Sequence, residues 1–191
     1  MRVSEFSFGM CLCLLTAICS CGVLANGISY QGQEKVFHTA IGNTQTFYRE
    51  AQGREPGWEL GIAFKALADG RINGLHVKNP TRGIVPITIW DGDTKQIIQQ
   101  FNTTLDGTDN YNKIYMHQPV KIQAGKTYRV TINVMKFYYQ SLPFFRFPMN
   151  AENVQLLGSV YEETHYTRFP EFLLQDVFHG MIDVDLQWVI K

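Results

Sequence analysis

Residues 57–66 read GWELGIAFKA, and their alternation decides the fold class. Leu60, Ile62 and Phe64 share one face of an extended chain, and Glu59, Ala63 and Lys65 share the other. Period two marks a strand with one buried face. The pattern continues outward. Asp69-Gly70 makes a turn into RINGLHVKN (71–79), where Ile72, Leu75 and Val77 alternate with one slip near Gly74 that predicts a bulge. IVPITIWD (84–91) aligns Val85, Ile87 and Ile89. Pro86 has no N–H to donate and places that strand at an edge or at its beginning.

Asp91-Gly92-Asp93 then joins it to KQIIQQFN (95–102) as a hairpin, with the glycine expected to supply a positive φ. Tyr111 to Val120 alternates again, Ala124-Gly125-Lys126 turns the chain, and TYRVTINV (127–134) aligns Tyr128, Val130, Ile132 and Val134. GMIDVDLQWVIK (180–191) ends the chain. It carries Ile182, Val184, Leu186 and Trp188 inward, with Asp183, Asp185 and Gln187 outward as a solvated face. Its strand, near Ile182–Ile190, is expected in a central position. Short strands with turns every ~8–12 residues are the signature of an antiparallel sandwich or barrel. The reading is one all-β domain from about Tyr30, with two packed antiparallel sheets.

Composition agrees with this and excludes other classes. The chain has 191 residues, 45% of them hydrophobic, which rules out intrinsic disorder. Net charge is zero, so nucleic acid is not an expected partner. The four cysteines are Cys11, Cys13, Cys19 and Cys21, and none follows. Residues 22–191 therefore hold no disulfide framework, thiolate metal site or cysteine nucleophile.

Those cysteines lie in a leader whose apolar stretch, Phe6 to Ile18, has the length of a signal-peptide core and falls short of the ~20 residues of a membrane span. Two processing sites compete. Ile18-Cys19-Ser20-Cys21 resembles a lipobox, with Cys21 as the lipidated residue. Val23-Leu24-Ala25 before Asn26 resembles an ordinary signal-peptidase site. The first predicts a lipid-anchored protein of the cell envelope or cell surface. The second predicts a secreted or periplasmic one. Segments follow as 1–21, a leader; 22–54, a tether with a leading strand; and 55–191, the sandwich.

Within the sandwich, residues 137–172 form an aromatic-rich stretch read as irregular, with a helical turn expected at Asn150 to Leu157. FYYQSLPFFRF (137–147) supplies Tyr138, Tyr139, Phe144, Phe145, Arg146 and Phe147 as candidate ligand-binding residues, because sugar C–H faces and protein partners both pack on rings. The other reading plugs these rings into the open end of the sandwich.

Other chemistry finds little local support. The histidines have no metal-ligand spacing, and Asp91-Gly92-Asp93-Thr94 offers only part of a calcium shell. Glu162-Glu163 and Asp183/Asp185 are the available carboxylate pairs for a hydrolase. No catalytic residue, metal ligand or cofactor is assigned. Asn102-Thr103-Thr104 is a glycosylation sequon only in a eukaryotic secretory pathway.

The pieces ELGIAFKALADGRINGL (59–75), ITIWDGDTKQI (87–97), HQPVKIQAGKTYRVTI (117–132) and IDVDLQW (182–188), in that order, resemble domain-of-unknown-function family 4082, a family of bacterial secreted modules. The family has an aromatic-basic pair after the glycine turn, where this chain has LHVKN with His76 and Lys78. The resemblance implies an immunoglobulin-like or jelly-roll-like β-sandwich and brings no established activity. The expectation is an exported, non-catalytic module binding an extracellular glycan or protein. A structural or assembly subunit is the alternative, and a hydrolase is the less favoured third.

Overall fold

The computed structural model describes residues 29–42, 45–51, 55–142 and 146–190. In chain order the elements are β1 (Ser29–Gln33), α1 (Val36–Ile41), β2 (Thr46–Glu50), β3 (Trp58–Ala66), β4 (Gly70–Val77), β5 (Arg82–Asp91), β6 (Ile97–Asp106) and β7 (Asn112–Ile122). There follow β8 (Thr127–Val134), β9 (Lys136–Ser141), β10 (Met149–Ala151), β11 (Val154–Glu163), β12 (Phe172–Leu174), β13 (Val177–His179) and β14 (Ile182–Ile190).

The strands build an all-β sandwich of antiparallel sheets. The larger sheet runs β10-β11-β3-β8-β5-β6, with β12 beside β11; the smaller runs β1-β14-β4-β7. A third sheet, β13-β9-β2, adjoins the larger one through β13. The last strand is interior, between β1 and β4. The alternating residues meet in one core: Leu60, Ile62 and Phe64 from β3, Ile87 and Ile89 from β5, Val130 and Ile132 from β8, and Ile72, Leu75, Val184 and Leu186 from β4 and β14 are all buried. Each such side chain stabilises the fold by roughly 1.5–3 kcal/mol.

The turns follow local chemistry. Asp91 Oδ1 accepts the N–H groups of Asp93 at 3.0 Å and Thr94 at 2.9 Å, closing the β5–β6 hairpin. The positive φ of that turn belongs to Lys95, at 61°, and not to Gly92 as expected. Gly92 is required by space instead, since a Cβ there would stand 2.7 Å from Thr127 Cγ2. Pro86 sits where pairing with β8 begins, at Ile87, while β6 flanks the whole strand. The slip near Gly74 is a bulge against both β7 and β14.

Four further expectations are corrected. Asn150 to Leu157 is a β10–β11 hairpin and holds no helical turn: Asn150 pairs with Gln155, and a bulge between Leu156 and Gly158 masks the period of β11. The stretch from Phe137 is no irregular loop at its start, because β9 is the middle strand of the third sheet, paired with β2 and β13. The irregular part is residues 164–171, which strap the outer face of the larger sheet. There Phe169 packs edge-on to Trp90 at 5.6 Å, and Thr167 Oγ1 accepts from Gln100 Nε2 at 2.8 Å.

Residues 29–50, expected as tether and leading strand, contribute β1, α1 and β2. That placement also corrects the outer face of β14. Asp183 is fully buried and Asp185 nearly so. The backbone of Lys35, Phe37 and His38, at the start of α1, lies over them.

Candidate functional site

Six segments converge at one end of the sandwich around a depression of about 340 Å³. Its lining comprises His38 of α1, Thr46 of β2, Lys78 after β4, Asp109 to Tyr111 between β6 and β7, Gln140 of β9, and Met181 before β14. Connecting segments on a rigid sandwich are where such sites form.

The position of α1 decides where His38 stands. The helix begins after Lys35, in left-handed conformation, with no side-chain cap of its own. Asp183 caps it from β14 instead: Oδ1 accepts from Phe37 N at 2.9 Å and Oδ2 from His38 N at 2.7 Å. Burial pushes the Asp183 carboxyl up to about 7, against the pull of those N–H groups.

His38 so held meets Tyr111 edge-on at 5.6 Å. Burial first, then the charges of Lys35 and Lys78, hold its imidazole below the ordinary range, so it is neutral near pH 7. Its Nδ1 and the Tyr111 hydroxyl are both shielded from water, and neither has a hydrogen-bond partner among the described residues. Burial raises the Tyr111 phenol far above its usual value, which keeps it protonated. Next to the lining, Tyr138 donates its hydroxyl to Asp109, which pushes the phenol up to about 12. Lys78 Nζ lies 5.3 Å from the Tyr138 ring centre. The pocket thus offers a neutral acceptor, a phenolic donor, an ammonium and a carboxylate.

Behind Tyr111 runs an ion network. His76 Nε2 donates to both oxygens of Asp185, at 2.9 and 3.0 Å. Lys113 Nζ lies 2.9 Å from Glu34 and 3.7 Å from Asp185. Glu34, His76 and Asp185 place three potential metal-ligand atoms within 4.8 Å of one another. The Lys113 ammonium already supplies the positive charge among the carboxylates, so the geometry is that of a salt-bridge network.

The sequence-predicted residues are not brought together as one platform among the described residues. Tyr138 is outside the pocket lining and meets it through its hydrogen bond to Asp109. Tyr139 packs between Phe47, at 5.2 Å, and His179, at 5.8 Å. Phe147 is buried against Phe37. Arg146 is exposed and lines a separate depression with Gln175 and Asp176. Phe144, Phe145 and Cys21 lie outside the described residues. His38, Lys78, Asp109 and Tyr111 were missed in the sequence, because isolated polar residues brought together by topology carry no spacing signal. His179 is half-buried, ringed by Phe137, Tyr139 and Tyr161, and burial pushes its imidazole down to about 4.

The larger sheet places another carboxylate pair side by side. Glu59 of β3 is the register partner of Glu162 on β11. Glu59 accepts from the Thr131 hydroxyl and from Asn133 Nδ2, the latter at 3.2 Å, and burial pushes it up to about 7. Glu162 lies 3.5 Å from Arg168 of the strap. The two stand on one face under cover, and not across a cleft as glycoside hydrolysis requires.

No curated protein matches the chain. Among solved structures, it is similar to the VP2 subviral particle of infectious bursal disease virus, at 13% identity and TM-score 0.29, covering 86% of this chain. It is also similar to the T=1 particles derived from that virus, at 12% identity and TM-score 0.29, again over 86% of this chain. The chain spans 40% of the length of each, and likenesses this slight carry no argument. The family described as "Domain of unknown function (DUF4082)" matches residues 29–176, and the chain belongs to it.

Proposed function

We propose that the protein is an exported, lipid-anchored binding module of the cell envelope that receives an extracellular glycan in the end pocket and performs no catalysis on it. One observation carries this reading: the unpaired His38 Nδ1 and Tyr111 hydroxyl in the wall of a single polar depression. Buried polar atoms are ordinarily paired, and a pair left open in one pocket suits a ligand that supplies the partners. A ligand that displaces the side chains covering these two atoms would supply both partners: one sugar hydroxyl donates to the imidazole, and another accepts from the phenol. The engagement of Asp183, Asp185, Glu59 and Glu162 by structural partners supports binding over hydrolysis.

The test is a glycan array and pull-down with the full chain, compared with Tyr111→Phe and Tyr138→Ala. Tyr111→Phe deletes one oxygen and keeps the ring contacts. Array signal should fall roughly tenfold or more in that variant. An unchanged signal removes the pocket from the site. Retention of no glycan by the wild-type chain shifts the reading to assembly with a protein partner.

A further inference from the structure

We propose a second site: the cleft between the third sheet and the larger sheet binds a free α-amino acid with an apolar side chain. The two sheets meet through aromatic faces. On the third sheet, Arg49 of β2 is the register partner of Phe137 on β9, and His179 of β13 is that of Tyr139, so these side chains share one face. On the larger sheet, Trp58 of β3 pairs with Glu163 of β11 and Leu60 with Tyr161, and these four share the face turned towards the third sheet. Phe137 packs edge-on to Trp58 at 5.1 Å, and Tyr161 meets His179 at 6.1 Å. Between the two faces, closed on one side by Leu174 of β12, lies a cavity of about 160 Å³.

The interior is apolar and the mouth is charged. Trp58, Leu60 and Phe137 are buried, and His179, neutral at pH 7, adds no charge. Arg49 and Glu163 are the exposed members of the lining. They flank the same ring: the Arg49 guanidinium lies 4.9 Å from the Trp58 ring centre, and Glu163 is the strand neighbour of Trp58. Neither takes part in an ion pair among the described residues. One cation and one anion therefore stand at a single opening without neutralising each other.

This pair of charges selects the ligand. A lone cation is repelled by Arg49, a lone anion by Glu163, and a neutral sugar leaves both charges unmatched. A free α-amino acid carries an ammonium and a carboxylate on one carbon. The ammonium pairs with Glu163, and the carboxylate with Arg49, whose planar guanidinium suits two parallel hydrogen bonds. Its side chain then enters among Leu60, Phe137 and Leu174. A cavity of ~150 Å³ holds a benzene ring, so this one holds a single leucine, methionine or phenylalanine side chain. A peptide terminus brings only one of the two charges to the mouth. The cleft shares no lining residue with the end pocket, so either site stands or falls alone.

The experiment is calorimetric titration of the full chain with L-leucine, L-methionine and L-phenylalanine. Glycine, and the N-acetyl and amide forms of the tightest binder, serve as comparisons. Saturable binding of at least one of the three amino acids is expected. The N-acetyl form lacks the ammonium and the amide lacks the carboxylate, so each should bind roughly tenfold or more weakly. Glycine fills none of the cavity and should lose as much. Glu163→Gln and Arg49→Gln should each weaken binding by roughly tenfold or more, and Arg49→Lys should retain part of it. Glu163 is exposed, so Glu163→Gln should leave Tm unchanged. Tyr111→Phe in the end pocket should leave this titration unaltered. The proposal is overturned by absence of saturable binding of all three amino acids. It is also overturned if glycine, or both the N-acetyl and the amide form, bind as tightly as the parent, or if Glu163→Gln binds like wild type.

Discussion

The Asp183 carboxylate on the last strand takes the His38 N–H of α1 at 2.7 Å, across 145 residues of chain. With Phe37 N at 2.9 Å on the other oxygen, this one side chain caps the helix and sets His38 in the pocket wall. Val184 N shares the Phe37 acceptor oxygen at 2.8 Å. Asp183→Ala strands these buried donors. It should cost about 3 kcal/mol, combining a lost cap with unsatisfied N–H groups. Limited proteolysis should then cut first within residues 34–42. Denaturant melts matching wild type to within about 0.5 kcal/mol would refute the capping role.

Glu59 makes stability depend on pH in a direction opposite to that of a carboxylate held down by an ion pair, such as Glu34 beside Lys113. Its folded-state pKa, about 7, lies above the ordinary 4.5 because burial penalises the charge. The fold thus favours the protonated form. That contribution is complete below the unfolded-state value and is lost as pH rises through 7. Glu59→Gln keeps an acceptor for the Thr131 hydroxyl and cannot ionise. Its stability relative to wild type should improve from pH 5 to pH 8 by up to about 3 kcal/mol. Urea melts of both proteins across that range check it, and a difference that does not change with pH counts against it.

The main strands were legible because their faces differ in polarity. On β14, Ile182, Val184, Leu186 and Trp188 face the core as their period dictates. The same period misled on Asp183 and Asp185, since alternation says which face differs and not what covers it. The cover comes from α1, six residues long and far away in sequence. In β9, KFYYQS, three adjacent rings and a buried Gln140 leave no apolar-polar alternation to display, and β9 passed for loop. The pocket was illegible for another reason. His38, Lys78, Asp109 and Tyr111 sit on separate elements and meet only through the sheet order.

Gly61 occupies the middle of β3, where glycine costs conformational entropy, and close approach of the next backbone accounts for it. A Cβ there would fall 2.0 Å from Val130 O and 2.8 Å from Thr131 Cα, both backbone atoms of β8. Neither moves without opening the β3–β8 ladder. Gly61→Ala should therefore destabilise by about 2–3 kcal/mol. Gly32 on β1 has nothing within 4 Å of its Cβ position, so Gly32→Ala should be neutral or stabilising by up to about 0.5 kcal/mol. Thermal melts of the pair decide: equal Tm changes would remove the steric explanation.

The anchor proposal rests on Cys21 and on no part of the described fold. If the cysteine after Ser20 is acylated, the chain should label with radioactive palmitate in the producing cell and sediment with membranes. Two or more acyl chains hold a protein stably at a bilayer where a single chain does not. Cys21→Ala should abolish the label, and Cys19→Ala should leave it, because the lipobox cysteine is the one that follows the small residue. The competing site makes an opposite forecast: a soluble product beginning at Asn26, unlabelled, and indifferent to either substitution. N-terminal sequencing of the released product separates the two, and recovery of that soluble form as the main species would sink the anchor.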